Sequence, residues 1–233
     1  MKSRKVPFTS RMGRGERIAA LVYLPLHVFL LPLALGALMP RAFPDMGEAE
    51  LNFLYYAVGL SYMLFFQTRF LRRDFDPLCD RVLDCLIEIC VCYGIMLLLN
   101  MAVNGLLSLA LTDNPNNSSI MDMAGMDMGK VAATAVFLAP IVEELLFRAG
   151  IFSLIRTRWL AYAVSILLFS AYHIWGYALG EPGNWIYIIQ YVPASFVLCR
   201  CYERTNTIWG SIFLHMLING VSLSILSAVE GML

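Results

Sequence analysis

Three short polar clusters interrupt the apolar second half of this sequence. The first reads Ala139-Pro-Ile-Val-Glu143-Glu144-Leu-Leu-Phe-Arg148-Ala-Gly. The second is Phe169-Ser-Ala-Tyr-His173 and the third His215-Met-Leu-Ile-Asn219, so two of the three histidines of the chain sit inside apolar runs. An ionisable side chain in a membrane span costs about 2.5–3.5 kcal/mol on insertion scales, which makes function the default expectation for such groups. Glu144 and Arg148 are four apart with the acid N-terminal, the favoured order for a same-face helical pair, and read as a structural ion pair. Glu143 lies about 100° round the helix. With no base four positions away, it is the carboxylate left free to act as a general base. His215 and Asn219 share that four-residue spacing and stack on one helix face.

The elements that must hold these groups are membrane helices. The chain of 233 residues is 59% hydrophobic and 15% charged, with a mean hydropathy of +0.68. Soluble domains average roughly 45–50% apolar and about 25% charged. Apolar periodicity predicts seven helices at Ile18–Met39, Leu51–Phe66, Val82–Leu111, Val131–Ile155, Trp159–Leu179, Trp185–Cys199 and Ile208–Met232. The predicted fold is an all-α, polytopic transmembrane helix bundle of about seven spans, a multi-pass protein of the cell membrane whose first run is a retained helix. At about 1.5 Å per residue, Glu143, His173 and Asn219 lie roughly 16–21 Å from the inner ends of their helices, and His215 lies one turn shallower. The four can meet in one layer.

Basic residues set the orientation. Lys2, Arg4, Lys5, Arg11, Arg14 and Arg17 precede the first helix. Arg69, Arg72, Arg73 and Arg81 follow the second, Arg156 and Arg158 the fourth, and Arg200 and Arg204 the sixth. The alternate loops carry only Arg41 and Lys130 among acidic residues, so the N-terminus is expected inside. A net charge of zero gives no basic field to suggest nucleic acid. Trp159, Trp185 and Trp209 begin predicted helices, as interfacial anchors do.

Residues 1–130 form the first expected region, three helices and an exposed loop; residues 131–233 form a four-helix catalytic core. The loop, Asp113–Lys130, holds Asn-Pro-Asn-Asn-Ser-Ser and then Met121, Met123, Met126 and Met128, and is read as a low-complexity linker rather than a Cu(I) site. Asn116 and Asn117 fit the N-x-Ser pattern. Cys79, Cys85, Cys90, Cys92, Cys199 and Cys201 contain no CxxC and are expected to stay unpaired. His27 is read as an interhelical hydrogen-bonding residue, and Asp84 and Glu88 as interfacial.

In its three clusters the chain resembles the CAAX protease and bacteriocin-processing family of intramembrane peptidases, whose pattern is Glu-Glu-x-x-x-Arg, then Phe-x-x-x-His, then His-x-x-x-Asn or Asp. Glu143-Glu144…Arg148, Phe169…His173 and His215…Asn219 match it in order, over roughly the last hundred residues. The resemblance implies that Glu143 and His173 activate a water while His215 and Asn219 donate hydrogen bonds to the oxyanion, with Glu144, Arg148 and Phe169 supporting the site. It also implies a membrane-associated peptide or protein substrate, of CAAX type or a peptide precursor. No metal or cofactor is then needed. The alternatives are a zinc protease using Glu143, His173 and His215, although no HExxH occurs, and a non-enzymatic membrane protein of immunity or transport. No cysteine lies in the three helices concerned, which argues against a thiol protease.

Overall fold

The computed structural model describes residues 8–107 and 114–230, and the regular structure among these residues is all helical. Three helices are long and apolar enough to cross a bilayer: α1 (Arg14–Ala42), α3 (Val82–Leu107) and the Ile208–Ile225 part of α9 (Ile208–Glu230). Among the others are α2 (Glu48–Arg73), α4 (Pro115–Ala132), α5 (133–154), α6 (Arg158–Tyr172), α7 (Trp175–Gly180) and α8 (Ile188–Thr205), with short helical turns at Asp76–Asp80 and Pro182–Tyr187. Large apolar side chains such as Phe65, Leu83 and Leu98 stand exposed on the outside of the bundle, as a lipid-facing surface requires. The expected residues 108–111 of the third helix, Lys2, Arg4, Lys5 and Met232 fall outside the described residues.

Helix ends follow their local chemistry. Gly13 caps α1, and Glu16 accepts from the Gly13 N–H while pairing with Arg73 at 2.6 Å, which ties the start of α1 to the end of α2. Glu48 and Glu50 lie in the first turn of α2 and Arg72 and Arg73 in its last, the order that complements the helix dipole. Asn206 ends α8 in the left-handed conformation (φ 56°), and its side chain accepts from the Thr9 N–H. Asp74, after α2, accepts from Arg11 and from the Ile208 N–H at the start of α9. Trp209 donates to Leu71 O at 3.0 Å. The basic loops are thereby stitched into one layer.

One hydrophobic core joins both halves of the sequence, running from Tyr23, Tyr56 and Met63 through Cys92 to Val142, Phe147, Leu198 and Ile212. At its centre Gly59 of α2 lets α1 and α5 approach closely: a Cβ there would lie 3.3 Å from His27, Tyr23 and Val142.

Three expectations need correction. The segment expected as an exposed loop, 113–130, is helix α4 from Pro115 onward, capped by Asn114, whose side chain accepts from Asn116 N at 2.9 Å. Its composition hid an amphipathic face: Met123, Ala124 and Val131 pack with Ala49 and Leu223. The helix breaks only at Asp127 (φ −152°, ψ 86°), whose side chain accepts from Lys130 N and pairs with Lys130 Nζ. The second predicted helix, bounded at Leu51–Phe66, extends over Glu48–Arg73, because Gln67, Phe70 and Leu71 remain buried beyond the apolar run. Similarly, the run expected as one helix from Trp159 to Leu179 is interrupted at His173 and Ile174.

Candidate active site

Glu143 ends the regular turns of α5 at Ala139–Glu143 and lies between two wide, π-type stretches, Ala133–Leu138 and Glu144–Gly150. Such turns are frequent at functional sites because they re-aim side chains and leave carbonyls without helical partners. Each stretch here has one carbonyl satisfied from a neighbouring helix. Asn219 Nδ2 donates to Ala135 O at 2.8 Å and Ser165 Oγ to Phe147 O at 2.6 Å.

Residues 142–152 are all buried. Glu144 Oε1 accepts from Arg148 Nη1 at 2.9 Å, and Arg148 Nη2 reaches Ser195 Oγ of α8 at 3.1 Å. The guanidinium also lies 3.9 Å above the Phe169 ring. The expected ion pair is present, with Phe169 as its aromatic support. The same Glu144 oxygen, however, lies 2.8 Å from His215 Nδ1.

That contact fixes proton positions. An ionised carboxylate accepts only, so His215 Nδ1 carries hydrogen and Nε2 points at Glu143 Oε2, 3.8 Å away. His173 is arranged in parallel: Nδ1 is 2.9 Å from Phe169 O, a pure acceptor, and Nε2 is 4.0 Å from the same Glu143 oxygen. Glu143 Oε2 has no hydrogen-bond partner of its own, whereas Oε1 accepts from Tyr56 O–H at 2.6 Å. Both imidazole Nε2 atoms therefore lie within about 4 Å of one carboxylate oxygen, beyond direct hydrogen-bond distance.

All four expected residues share this neighbourhood: Glu143, His173 and His215 meet as described, and Asn219 joins Glu143 and His173 in lining a cavity of about 490 Å³. Tyr55, Tyr56 and Tyr172 complete the wall beside the carboxylate, and Glu48, Asn52 and Ser119 stand further along it.

Several site residues had escaped the sequence reading. Tyr172 Oη lies 2.9 Å from Tyr56 Oη and 3.0 Å from Tyr55 Oη, the Tyr55 hydroxyl donates to the His27 carbonyl, and His27 Nε2 is 3.4 Å from Tyr172 Oη. His27 is thus interhelical, as expected, and also part of the hydroxyl chain leading to Glu143. Tyr191 of α8 stacks on His173 with ring centroids 4.5 Å apart, and its hydroxyl accepts from Asn114 and Asn116 of the α4 start. The available signals were the Tyr55-Tyr56 pair inside an apolar run and the Tyr beside His173. Residues 1–130 therefore supply one wall of the site. Asp84 pairs with Arg81, and Glu88 with Arg200, away from the cavity. The described cysteines are all unpaired.

Comparison with known proteins reaches the same stretch. Residues 129–221 match the family model described as Type II CAAX prenyl endopeptidase Rce1-like. The UPF0177 protein YbdI of Lactococcus lactis subsp. lactis is 34% identical over 80 residues, 34% of this chain and 40% of that protein. YajF of the same organism is 35% identical over 80 residues, 34% and 35% of the respective chains. A UPF0177 protein in the abiGi 5' region of Lactococcus lactis subsp. cremoris is 30% identical over 102 residues, 42% of this chain and 40% of that one. The matches span about two fifths of these relatives or less. No solved structure matches. Residues 129–221, which contain all three motifs, are thus similar to the Rce1-like CAAX prenyl endopeptidase family.

Proposed function

We propose that this chain is an intramembrane endopeptidase of the glutamate type, a multi-pass protein of the cell membrane that hydrolyses a peptide bond of a membrane-associated substrate without a metal. The observation that carries the reading is the placement of His173 Nε2 and His215 Nε2 at 4.0 and 3.8 Å from one oxygen of Glu143, beside a cavity that Glu143 and His173 line. A water there meets three acceptors if both imidazoles are neutral, one more than its two protons can serve. The conflict is resolved when His215 is the imidazolium, stabilised by Glu144 at Nδ1. Glu143 and His173 then accept the two water protons. His215 Nε2–H is left to donate.

In this scheme Glu143 Oε2 removes a proton as the water oxygen bonds to the scissile carbonyl carbon, and the carbonyl electrons move onto oxygen. The oxyanion accepts from His215 Nε2–H and from the Asn219 amide N–H not used by Ala135 O. Collapse breaks the C–N bond, and the proton held on Glu143 passes to the leaving amine. Tyr56 holds Glu143 Oε1, which leaves Oε2 as the basic atom. Glu144, Arg148 and Phe169 keep α5, α6 and α8 in register.

The deciding experiment is Glu143→Gln, which keeps shape and removes proton acceptance. Cleavage of a quenched-fluorescence peptide library by the purified protein should fall by about 10²–10⁴ at unchanged membrane abundance. Undiminished cleavage would remove Glu143 from the role of base.

A further inference from the structure

The cavity leads from the catalytic groups toward one end of the bundle only. Glu48 and Asn52 in the first turns of α2, Ser119 and Met123 of α4, and Trp175 and Tyr177 of α7 line its far part. These residues sit at the opposite helix ends from Arg69, Arg72 and Arg73, which close α2, from Arg156 and Arg158 between α5 and α6, and from Arg200 and Arg204 near the end of α8. Between Glu143 and that basic end the chain is shut: residues 144–152 are buried, with the Glu144–Arg148 pair lying across the path. The hydrogen bonds of Asp74, Arg11 and Asn206 close the basic layer beyond it.

The two ends differ in charge. Lys130 belongs to the cavity end but is held by Glu50 at 2.7 Å and by Asp127 at 2.6 Å, and Glu48 stands exposed on the rim. Short loops rich in Lys and Arg stay in the cytoplasm. From these observations we infer that the active-site cavity opens to the non-cytoplasmic face, so that the substrate is an exported peptide or the outward-facing juxtamembrane segment of a membrane protein, and not a cytosolic protein tail.

The inference rests on the endopeptidase reading for the nature of the substrate, but its geometric half stands apart from catalysis. The wall opposite the catalytic carboxylate is apolar, with Val28, Leu35, Leu51, Ile120 and Val131, which suits an extended hydrophobic peptide. Acidic Glu48 at the mouth suits a cationic flank on it.

The test uses the full-length protein in intact cells with a membrane-impermeant maleimide as the probe. Native Cys79 is exposed in the basic layer after α2 and reports on the cytoplasmic side. Asn52→Cys and Ser119→Cys should gain label in intact cells, while Cys79 should gain it only after permeabilisation. Rim cysteines labelled only after permeabilisation, with Cys79 labelled from outside, would overturn the inference. As a second measurement, an epitope tag inserted between Arg156 and Arg158 should bind antibody only in permeabilised cells, and binding in intact cells would equally overturn it. Neither readout depends on hydrolysis. If labelling is outward and Glu143→Gln still cleaves, the enzyme reading fails and the orientation stands; if cleavage needs Glu143 but the rim is cytoplasmic, the inference alone falls.

Discussion

Glu144 and His215, 71 positions apart in sequence, meet at 2.8 Å in a fully buried contact that joins α5 to α9. The carboxylate thereby serves two cations or potential cations, since Arg148 Nη1 lies 2.9 Å from the same oxygen. Glu144 is more than a structural partner of Arg148: it holds Nδ1 of His215 and so leaves Nε2 toward Glu143.

Glu144→Gln should therefore lower both stability and turnover. Leaving Arg148 buried without its counter-charge costs typically about 3–5 kcal/mol, read as a lower unfolding midpoint in detergent. An amide can also donate to Nδ1 and reverse the tautomer of His215. If Glu144→Gln lost stability but kept full turnover in the folded fraction, the orienting role would be wrong.

Tyr56→Phe removes one hydroxyl and leaves the ring packing of α2 intact. A hydrogen bond to a charged group contributes about 1.5–3 kcal/mol, so kcat should drop by roughly tenfold to a hundredfold if the bond holds Glu143 in its reactive pose. Tyr55→Phe, linked to the carboxylate only through the hydroxyls of Tyr172 and Tyr56, should have the smaller effect. Equal kcat for Tyr56→Phe and wild type would show that Glu143 is positioned by its helix alone.

Asn219 has two duties to separate. Loss of the bond to Ala135 O should cost about 0.5–1.5 kcal/mol of stability, whereas loss of an oxyanion donor should raise the barrier by about 2.7–4 kcal/mol. Asn219→Ala should then show slow but measurable turnover with substrate affinity nearly unchanged. Asn219→Asp should be slower than Asn219→Gln, because a carboxylate repels the oxyanion. Normal turnover with weakened substrate binding would place Asn219 in substrate docking instead.

Exhaustive chelation should leave cleavage unchanged, and added zinc should not raise it. Activity lost to a strong chelator and restored stoichiometrically by zinc would turn Glu143, His173 and His215 from proton-transfer groups into ligands.

The clustering of Glu143, His173, His215 and Asn219 was legible because the cost of burying such groups in lipid singles them out, and helical rise alone sets their depth. The spacing rule for one helix paired Glu144 with Arg148 correctly, but it has no reach across helices and so could not show His215. Tyr55, Tyr56 and Tyr172 were invisible for another reason: tyrosines are common in membrane helices, and only packing at Gly59 brings the α1–α2 hairpin against α5. Helix α4 was hidden because its polar residues, Asn114 and Asn116 among them, are used on Gln190 and Tyr191 instead of water.

The wide turns on both sides of Glu143 make chain length a functional variable. A π-type turn behaves as a one-residue insertion absorbed within a helix. Deleting one residue from 144–150 would let the helix relax to regular turns with the flanking segments still in register, but it would close the wide turn that frees Phe147 O for Ser165 Oγ. The tie between this stretch and α6 would then be lost at a stroke. Side-chain substitutions here are graded in their effect, whereas a shift in spacing is all or none, so this stretch tolerates changes of residue more readily than changes of length.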